Sequence, residues 1–349
     1  MNGKGTSISN LKGTSISNLQ VEIAKGWKPN NYLTNMSMAY FQEEGDFVAP
    51  SIFPICPVGL SSSYYYTFSK ADLARDNVAR KPAFGKVQPA LMGQTDSTYK
   101  CEVDQVIVGV DQIDALNYQR SRAPGVADPR RAKVRFATEQ LKLHLDLIFA
   151  QNFFNAAAWQ NVWTGVAGNP QPNQFLRFDD ANFDPVNFFD ARMKDIKQSG
   201  RRKPNRLALG VDAYNALKNH PDIVERVKYT GSTANPAIVT TSALAAILQI
   251  EQVRVLESTY NRGGVGVEDM QFVCATDGAL LCYATDNAAI DEPSAGYIFT
   301  WDMLGNGQHV ALDQFEGEKG THAEFVEGLM STDMKKTSDD LAIYFDQCV

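Results

Sequence analysis

The chemically capable residues of this 349-residue chain are few and scattered. His144 sits among leucines (LKLHLDL) and reads as a hydrogen-bonded core or interface histidine. His220 stands directly before Pro221 and reads as a helix terminator. His322 and Glu324 are two apart, a spacing that puts both on one strand face and could hold a metal, but two ligands without a third make an incomplete site. GGVGV at 263–267 lacks the strand-then-helix context and spacing of a phosphate loop, so these glycines are turn residues. No GxSxG or HExxH text occurs in the sequence. The five cysteines, Cys56, Cys101, Cys274, Cys282 and Cys348, are odd in number and contain no CxxC pair. They fit neither a disulfide framework nor a zinc site and read as buried small hydrophobes. No catalytic residue, metal or cofactor is expected. A hydrolase built on His322, Glu324 and nearby Asp residues is disfavoured by the missing nucleophile and metal motifs.

Charge says more than chemistry. The net charge is -7, but from Glu268 to Val349 there are 16 acidic residues and three lysines, a balance of -13, which leaves +6 for residues 1–267. Such polarity is poor for a general nucleic-acid binder, which concentrates Lys and Arg, and suits attraction between copies. The run Arg201, Arg202, Lys203 could touch phosphate, be a solvated helix end, or pair with the acidic C-terminal third; the pairing is favoured. Tyr64, Tyr65 and Tyr66 read as interface or core aromatics, since a base-stacking platform needs adjacent cations and only Lys70 is near.

The elements that place these residues can be outlined. Hydrophobic residues at 44% and charged residues at 21% describe a globular chain. No stretch approaches the ~18 apolar residues needed to span a membrane, and the first residues lack a secretory run, so cytoplasmic synthesis is expected. KGTSISNL occurs in tandem at 4–11 and 12–19. It reads as an extended arm ordered against a partner, or as a bland duplication. Residues 47–60 carry three prolines, which suits an edge strand or extended segment and argues against a helix. SSSYYYTFSK puts Tyr64, Tyr66 and Phe68 on one strand face, and STYKCEVDQVIVGVDQI resumes a strand after a polar, turn-rich excursion.

Asp128 and Pro129 open a long helix of about 30 residues, roughly 45 Å, with Val134, Ala137, Leu141, Leu145 and Ile148 on one stripe and Phe136, Leu143, Leu147 and Phe154 on another. It should be buried on more than one side. A second helix over 184–199 closes at Gly200. RLALGV is a short buried strand, DAYNALKNH a helix ended by Pro221, and SALAAILQ a helix capped by Ser242. Strands follow around Val253 and Val255, in QFVCA, LLCYA and YIFTW, and in LAIYFDQCV. Helices and strands without βαβ regularity make the class α+β.

The phrases DAYNALKNHPDIVERVKY (212–229), QVRVLESTYN (252–261), PSAGYIFTWD (293–302) and LAIYFDQCV, in this order of elements, resemble the major capsid proteins of tailed bacteriophages, whose fold is named after phage Hong Kong 97. The phrases cover roughly residues 205–349; the first half matches by architecture. The resemblance implies an N-terminal arm (1–45), an extended E-loop hairpin (60–110), a peripheral domain with a spine helix (46–59, 111–204 and 311–349) and an axial domain (205–310). It implies hexamers and pentamers in an icosahedral head around double-stranded DNA, with no membrane. Scaffolding and portal proteins are implied partners and a decoration protein a further one, with assembly in the bacterial cytoplasm and the virion as destination. An encapsulin-like nanocompartment is the alternative on the same fold. The expected assembly residues are Tyr64, Tyr66, Phe68, Arg75, Arg80, Lys81, Phe84, Leu91 and Met92 on the hairpin, and Arg201, Arg202 and Lys203 against a neighbour's acidic third.

Overall fold

The computed structural model describes residues 47–68, 74–81, 83–90, 93–113, 116, 129–230, 239–264, 266–286, 292–302, 310–318, 320 and 322–349. The expected arm and its tandem repeat lie outside these, as do Lys70, Leu91, Met92 and Asp128.

In chain order the elements begin with α1 (Ala49–Ile52), β1 (Ile55–Val58), β2 (Ser62–Phe68), β3 (Gln94–Lys100), β4 (Glu102–Asp111) and the spine helix α2 (Pro129–Asn152). Next come β5 (Val162–Val166), β6 (Gln174–Leu176), α3 (Pro185–Gly200), β7 (Arg206–Gly210), α4 (Val211–Asn219), α5 (Pro221–Thr230), α6 (Thr241–Leu248) and β8 (Gln252–Leu256). The chain closes with β9 (Thr259–Asn261), β10 (Met270–Phe272), β11 (Ala279–Cys282), β12 (Gly296–Trp301), β13 (Val310–Glu316), β14 (Ala323–Lys336) and β15 (Ala342–Asp346).

Two mixed sheets organise the molecule. In the first, β14 is the central strand: β4 runs antiparallel along one edge, β12 and β13 lie end to end along the other, and β1 joins β12 in parallel. The second has the order β6-β5-β15-β11-β7-β8. Every residue of β7 is buried because both of its faces are covered. Leu207 and Leu209 point into a core shared with α3 to α6, and Ala208 points into the core that holds α2. The α+β class is the one expected.

Several details correct the sequence reading. Residues 47–60 do contain a helix, the single turn α1, because Pro50 sits in the first turn, where its missing N–H has no intrahelical partner to lose. The spine helix stops after 24 residues, at Asn152. Its last carbonyls are taken by side chains: the Asn155 amide donates to Gln151 O (2.7 Å) and the Trp159 indole to Phe153 O (2.7 Å). Burial is one-sided, with Val134, Ala137, Leu141 and Leu145 buried while Phe136 is 48% exposed. Gly200 is the last helical residue of α3, and Arg201 takes the left-handed cap position at φ 62°. Glycine is required at 200 because a Cβ there would come within 2.7 Å of the Asp340 carbonyl and 2.4 Å of Leu341. The cap of α6 is Thr240, whose hydroxyl accepts from Ala243 N at 3.2 Å; the Ser242 hydroxyl instead bonds Thr240. Pro221 both ends α4 and opens α5.

Candidate functional site

The expected excursion is real. β2 and β3 pair antiparallel from Ser62↔Lys100 to Phe68↔Gln94, and the described residues between them are exposed apart from half-buried Gly85. The root is firmly seated. Tyr99 stacks on Phe299 at 4.7 Å, Tyr65 lies 5.4 Å from the same ring, and Lys100 N donates to the Asp333 carboxylate at 2.8 Å. Strand alternation therefore aims Tyr65 inward and leaves Tyr64 65% exposed on the opposite face. Tyr66 and Phe68 lie on β2, with side chains outside the described set.

Beyond the root, the described residues of 74–90 are exposed apart from half-buried Gly85. Val78 is 91% exposed, and Phe84 is fully exposed in the left-handed region at φ 59°, a conformation costly for an aromatic residue. Arg75, Arg80, Lys81 and Lys86 accompany Asp76, so the segment is basic. Among its described residues this segment is cationic, carries exposed apolar side chains and buries almost nothing against the rest of the chain.

A second exposed surface went unread in the sequence. On the face of the first sheet turned away from α2, Val103, Ile107 and Phe315 are each more than a third exposed, and Phe315 stacks on Phe325 at 5.4 Å. The register places Asp313 opposite Glu327, and Glu327 opposite Ile107. The signal available was the aromatic pair within the acidic stretch 310–327. It was missed because β14 shows no clean alternation.

The basic run finds partners inside its own chain. Arg202 lies 3.5 Å from Glu292, a residue of the acidic third, and Lys203 donates to Gln249 O at the end of α6 (3.1 Å).

The histidines separate by environment. His220 is buried; one ring nitrogen donates to Asp180 O (3.2 Å) and the other accepts from Asp222 N (3.3 Å), so it ties the α4–α5 corner together. It borders a cleft of about 530 Å³ that also presents Asp179, Asp212 and Asp277, yet both of its nitrogens are already committed to backbone. His322 precedes β14 at φ 47°, and Glu324 accepts from the Gln314 amide at 2.8 Å. Among the described residues no group of three or more His, Cys, Asp or Glu could hold a metal ion. Cys101, Cys274, Cys282 and Cys348 are buried and Cys56 is half-buried, all unbridged. Burial pushes the Cys101, Cys274 and Cys282 thiols up to about 12, so they stay protonated and pack as small apolar groups.

His144 departs from the core reading: it is exposed on α2, with Nε2 3.5 Å from Asp104 of β4. The hydrogen bond to Asp104 raises its pKa, partly opposed by burial. A raised histidine contributes stability that is complete below the ordinary value of about 6.5 and is lost as pH climbs through the folded value. Melting temperature should thus fall slightly from pH 6 toward pH 8 (roughly the histidine range), and His144→Gln should flatten that slope in a pH series of thermal melts. The effect is small because both side chains are more than a third exposed and screened.

No protein-family model matches the sequence. Over 239 residues the chain is 27% identical to the major capsid protein of Burkholderia phage BcepMu, spanning 65% of this chain and 68% of that one. A phage-related protein from Bordetella bronchiseptica shares the fold with TM-score 0.69 and 20% identity, over 92% of this chain and 97% of the other. The virus-like particle from Pyrococcus furiosus gives TM-score 0.51 and 8% identity over 90% and 98%. The fold is the phage capsid fold. In sequence the chain is similar to a phage major capsid protein, the family that its phrases resemble.

Proposed function

We propose that this chain assembles as hexamers and pentamers into an icosahedral phage head around double-stranded DNA, in a structural and non-enzymatic role. In this reading residues 1–45 are the arm, 60–110 the E-loop, 46–59, 111–204 and 311–349 the peripheral domain, and 205–310 the axial domain. The observation that carries it is the basic excursion between β2 and β3, whose described residues are exposed apart from Gly85. Arg75, Arg80, Lys81 and Phe84 of one subunit face an acidic, apolar surface of a neighbour, and the Asp313, Glu327, Ile107, Phe315 face supplies the matching charge and apolar area. Many such modest contacts make a stable shell through multivalency. Scaffolding and portal proteins, a decoration protein, assembly in the host cytoplasm and non-specific contact with packaged DNA belong to the same proposal.

Electron microscopy of the purified protein, with and without its scaffold partner, tests it. Closed particles are expected; a sharp monomer at high concentration by light scattering counts against it. Particle content separates the two shell readings: DNA and a portal mark a phage head, an enclosed enzyme a nanocompartment. The second reading keeps its place because the archaeal virus-like particle has the same fold.

Assembly should also respond to salt. Complementary exposed charges are screened as the Debye length falls from about 10 Å at 0.1 M to about 3 Å at 1 M. Light scattering should therefore report slower particle growth at the higher salt. Equal rates at both would remove charge attraction from the assembly contacts.

A further inference from the structure

The single turn α1 is held by an unusual amount of buried charge. Asp146, on the spine helix and 3% exposed, accepts from Ala49 N at 2.9 Å and Val48 N at 3.3 Å, the amides that open α1. Arg206, on β7 and 6% exposed, donates to Ser51 O at 2.8 Å and Ile52 O at 3.0 Å, the carbonyls that close it. The same guanidinium reaches Thr285 O (3.3 Å) and the Asp286 carboxylate (2.6 Å). One turn of α2 before Asp146, the buried Lys142 ammonium lies over the Phe47 ring at 5.4 Å.

The signs are those that complement a helix dipole, an anion at the amino end and a cation at the carboxyl end. A four-residue helix has almost no stability of its own, because nucleation is unfavourable and few of its bonds are internal. Burying an aspartate and an arginine is expensive unless each is well bonded. Here each is divided: Asp146 bonds two α1 amides and the Ser258 side chain, Arg206 two α1 carbonyls and Thr285 and Asp286, so α1 is held from two elements, α2 packed on the first sheet and β7 in the second. The core needs neither charge for its own packing, since the α2 stripe and β7 bury apolar residues on either side of these positions.

We infer that α1 is a latch: its docking between the spine helix and the second sheet is a step separable from folding of the core, and closing it fixes residues 47–53 against the spine helix. A shift of α2 relative to β7 loosens one end of the clamp and frees α1 without unfolding either sheet. This inference is independent of what the particle contains, and its readout does not require assembly.

Hydrogen exchange on the full chain tests it, with Asp146→Asn and Arg206→Met as one variant each and Arg206→Lys as a milder third. The amides of Ser51, Ile52 and Phe53, which close α1 on Val48 O and Ala49 O, should exchange at least about tenfold faster in both main variants. Amides of β7, β11 and β15 should keep their protection. Chymotrypsin should cut after Phe47, which precedes Val48, faster in the same proteins, and Arg206→Lys should fall between wild type and Arg206→Met. Unchanged protection at 51–53 in both main variants overturns the latch. So does loss of protection spread evenly over β7 and β11, which makes Asp146 and Arg206 ordinary core supports. A variant that unfolds outright gives that second, negative result, with Arg206→Lys as the check on whether graded loosening exists at all.

Discussion

Replacing residues 72–92 with a short Gly-Ser turn is expected to leave a folded subunit that no longer builds shells of normal size. The root of the hairpin survives such a change, because Tyr65 and Tyr99 remain against Phe299 and the Lys100 amide remains on Asp333. The described residues of what is removed have almost no burial in the subunit: Ala74 to Lys81 are exposed without exception, and so are Val87 and Phe84. Ordering such a segment costs about 1 to 2 kcal/mol per residue in backbone entropy, and in this chain nothing local offsets it. The proposed offset is a neighbouring subunit, with Phe84, Leu91 and Met92 as apolar anchors and Arg75, Arg80 and Lys81 as charge partners. Circular dichroism should therefore change little, while electron microscopy should show unassembled protein or malformed particles. Point substitutions should grade the effect, Phe84→Ala weakening assembly and a double Arg80→Glu, Lys81→Glu change abolishing it at low salt. Normal shells of normal heat resistance from the shortened protein would make the excursion a passive loop.

Much of this was legible because local rules and tertiary demands agree along the second half of the chain. Asp184 before Pro185 is read as a helix start, and the Asp184 carboxylate does accept from Asn187 N at 3.1 Å. RLALGV reads as a short buried strand, and every residue of β7 is buried. Where the reading failed, a distant partner had overruled the local signal. Gly200 looked like the left-handed cap, but the close approach of Asp340 and Leu341, 140 residues away, claims the glycine and pushes the left-handed turn onto Arg201. Pro50 looked like a helix breaker, yet Asp146 and Arg206, about 97 and 155 residues away, supply the partners that a single turn lacks. β14 was invisible for a related reason. Its two faces meet different surroundings along its length: burial alternates from Phe325 to Gly328, but from Leu329 to Thr332 both faces are buried, so no sustained period of two emerges from AEFVEGLMSTDMKK. The candidate surfaces were half legible: a polar excursion between two strands announces itself, whereas the acidic sheet face depends on which of β4, β13 and β14 pair, and pairing is not written in any one segment.

Phe53→Ala should produce the largest loss of subunit stability among single side-chain truncations near the latch. Phe53 follows α1 directly and is fully buried, edge-on to Phe149 and Phe153 at 5.4 Å each and to Trp159 at 6.4 Å. The pocket is shaped for that ring: a Cβ on Gly296 would stand 2.8 Å from two of its carbons, so β12 carries glycine there to let the ring in. The ring thus joins α1, the end of the spine helix and β12, and its removal leaves a cavity between elements that cannot easily collapse onto it. Buried Phe to Ala changes cost about 3 to 5 kcal/mol, against about 5 to 15 kcal/mol for the whole of a typical domain. Urea unfolding of the unassembled subunit should show the midpoint falling by a large fraction with little change in slope. Measuring the unassembled form matters, because shell contacts add stability by mass action. Phe53→Leu should recover a substantial part of the loss, since it refills most of the volume. Phe84→Ala is the matched control: the same chemical deletion at a fully exposed ring should move stability by no more than about 0.5 kcal/mol. If the two alanine variants unfold at the same urea concentration, the aromatic nest around Phe53 is not what holds the start of the chain to the spine helix.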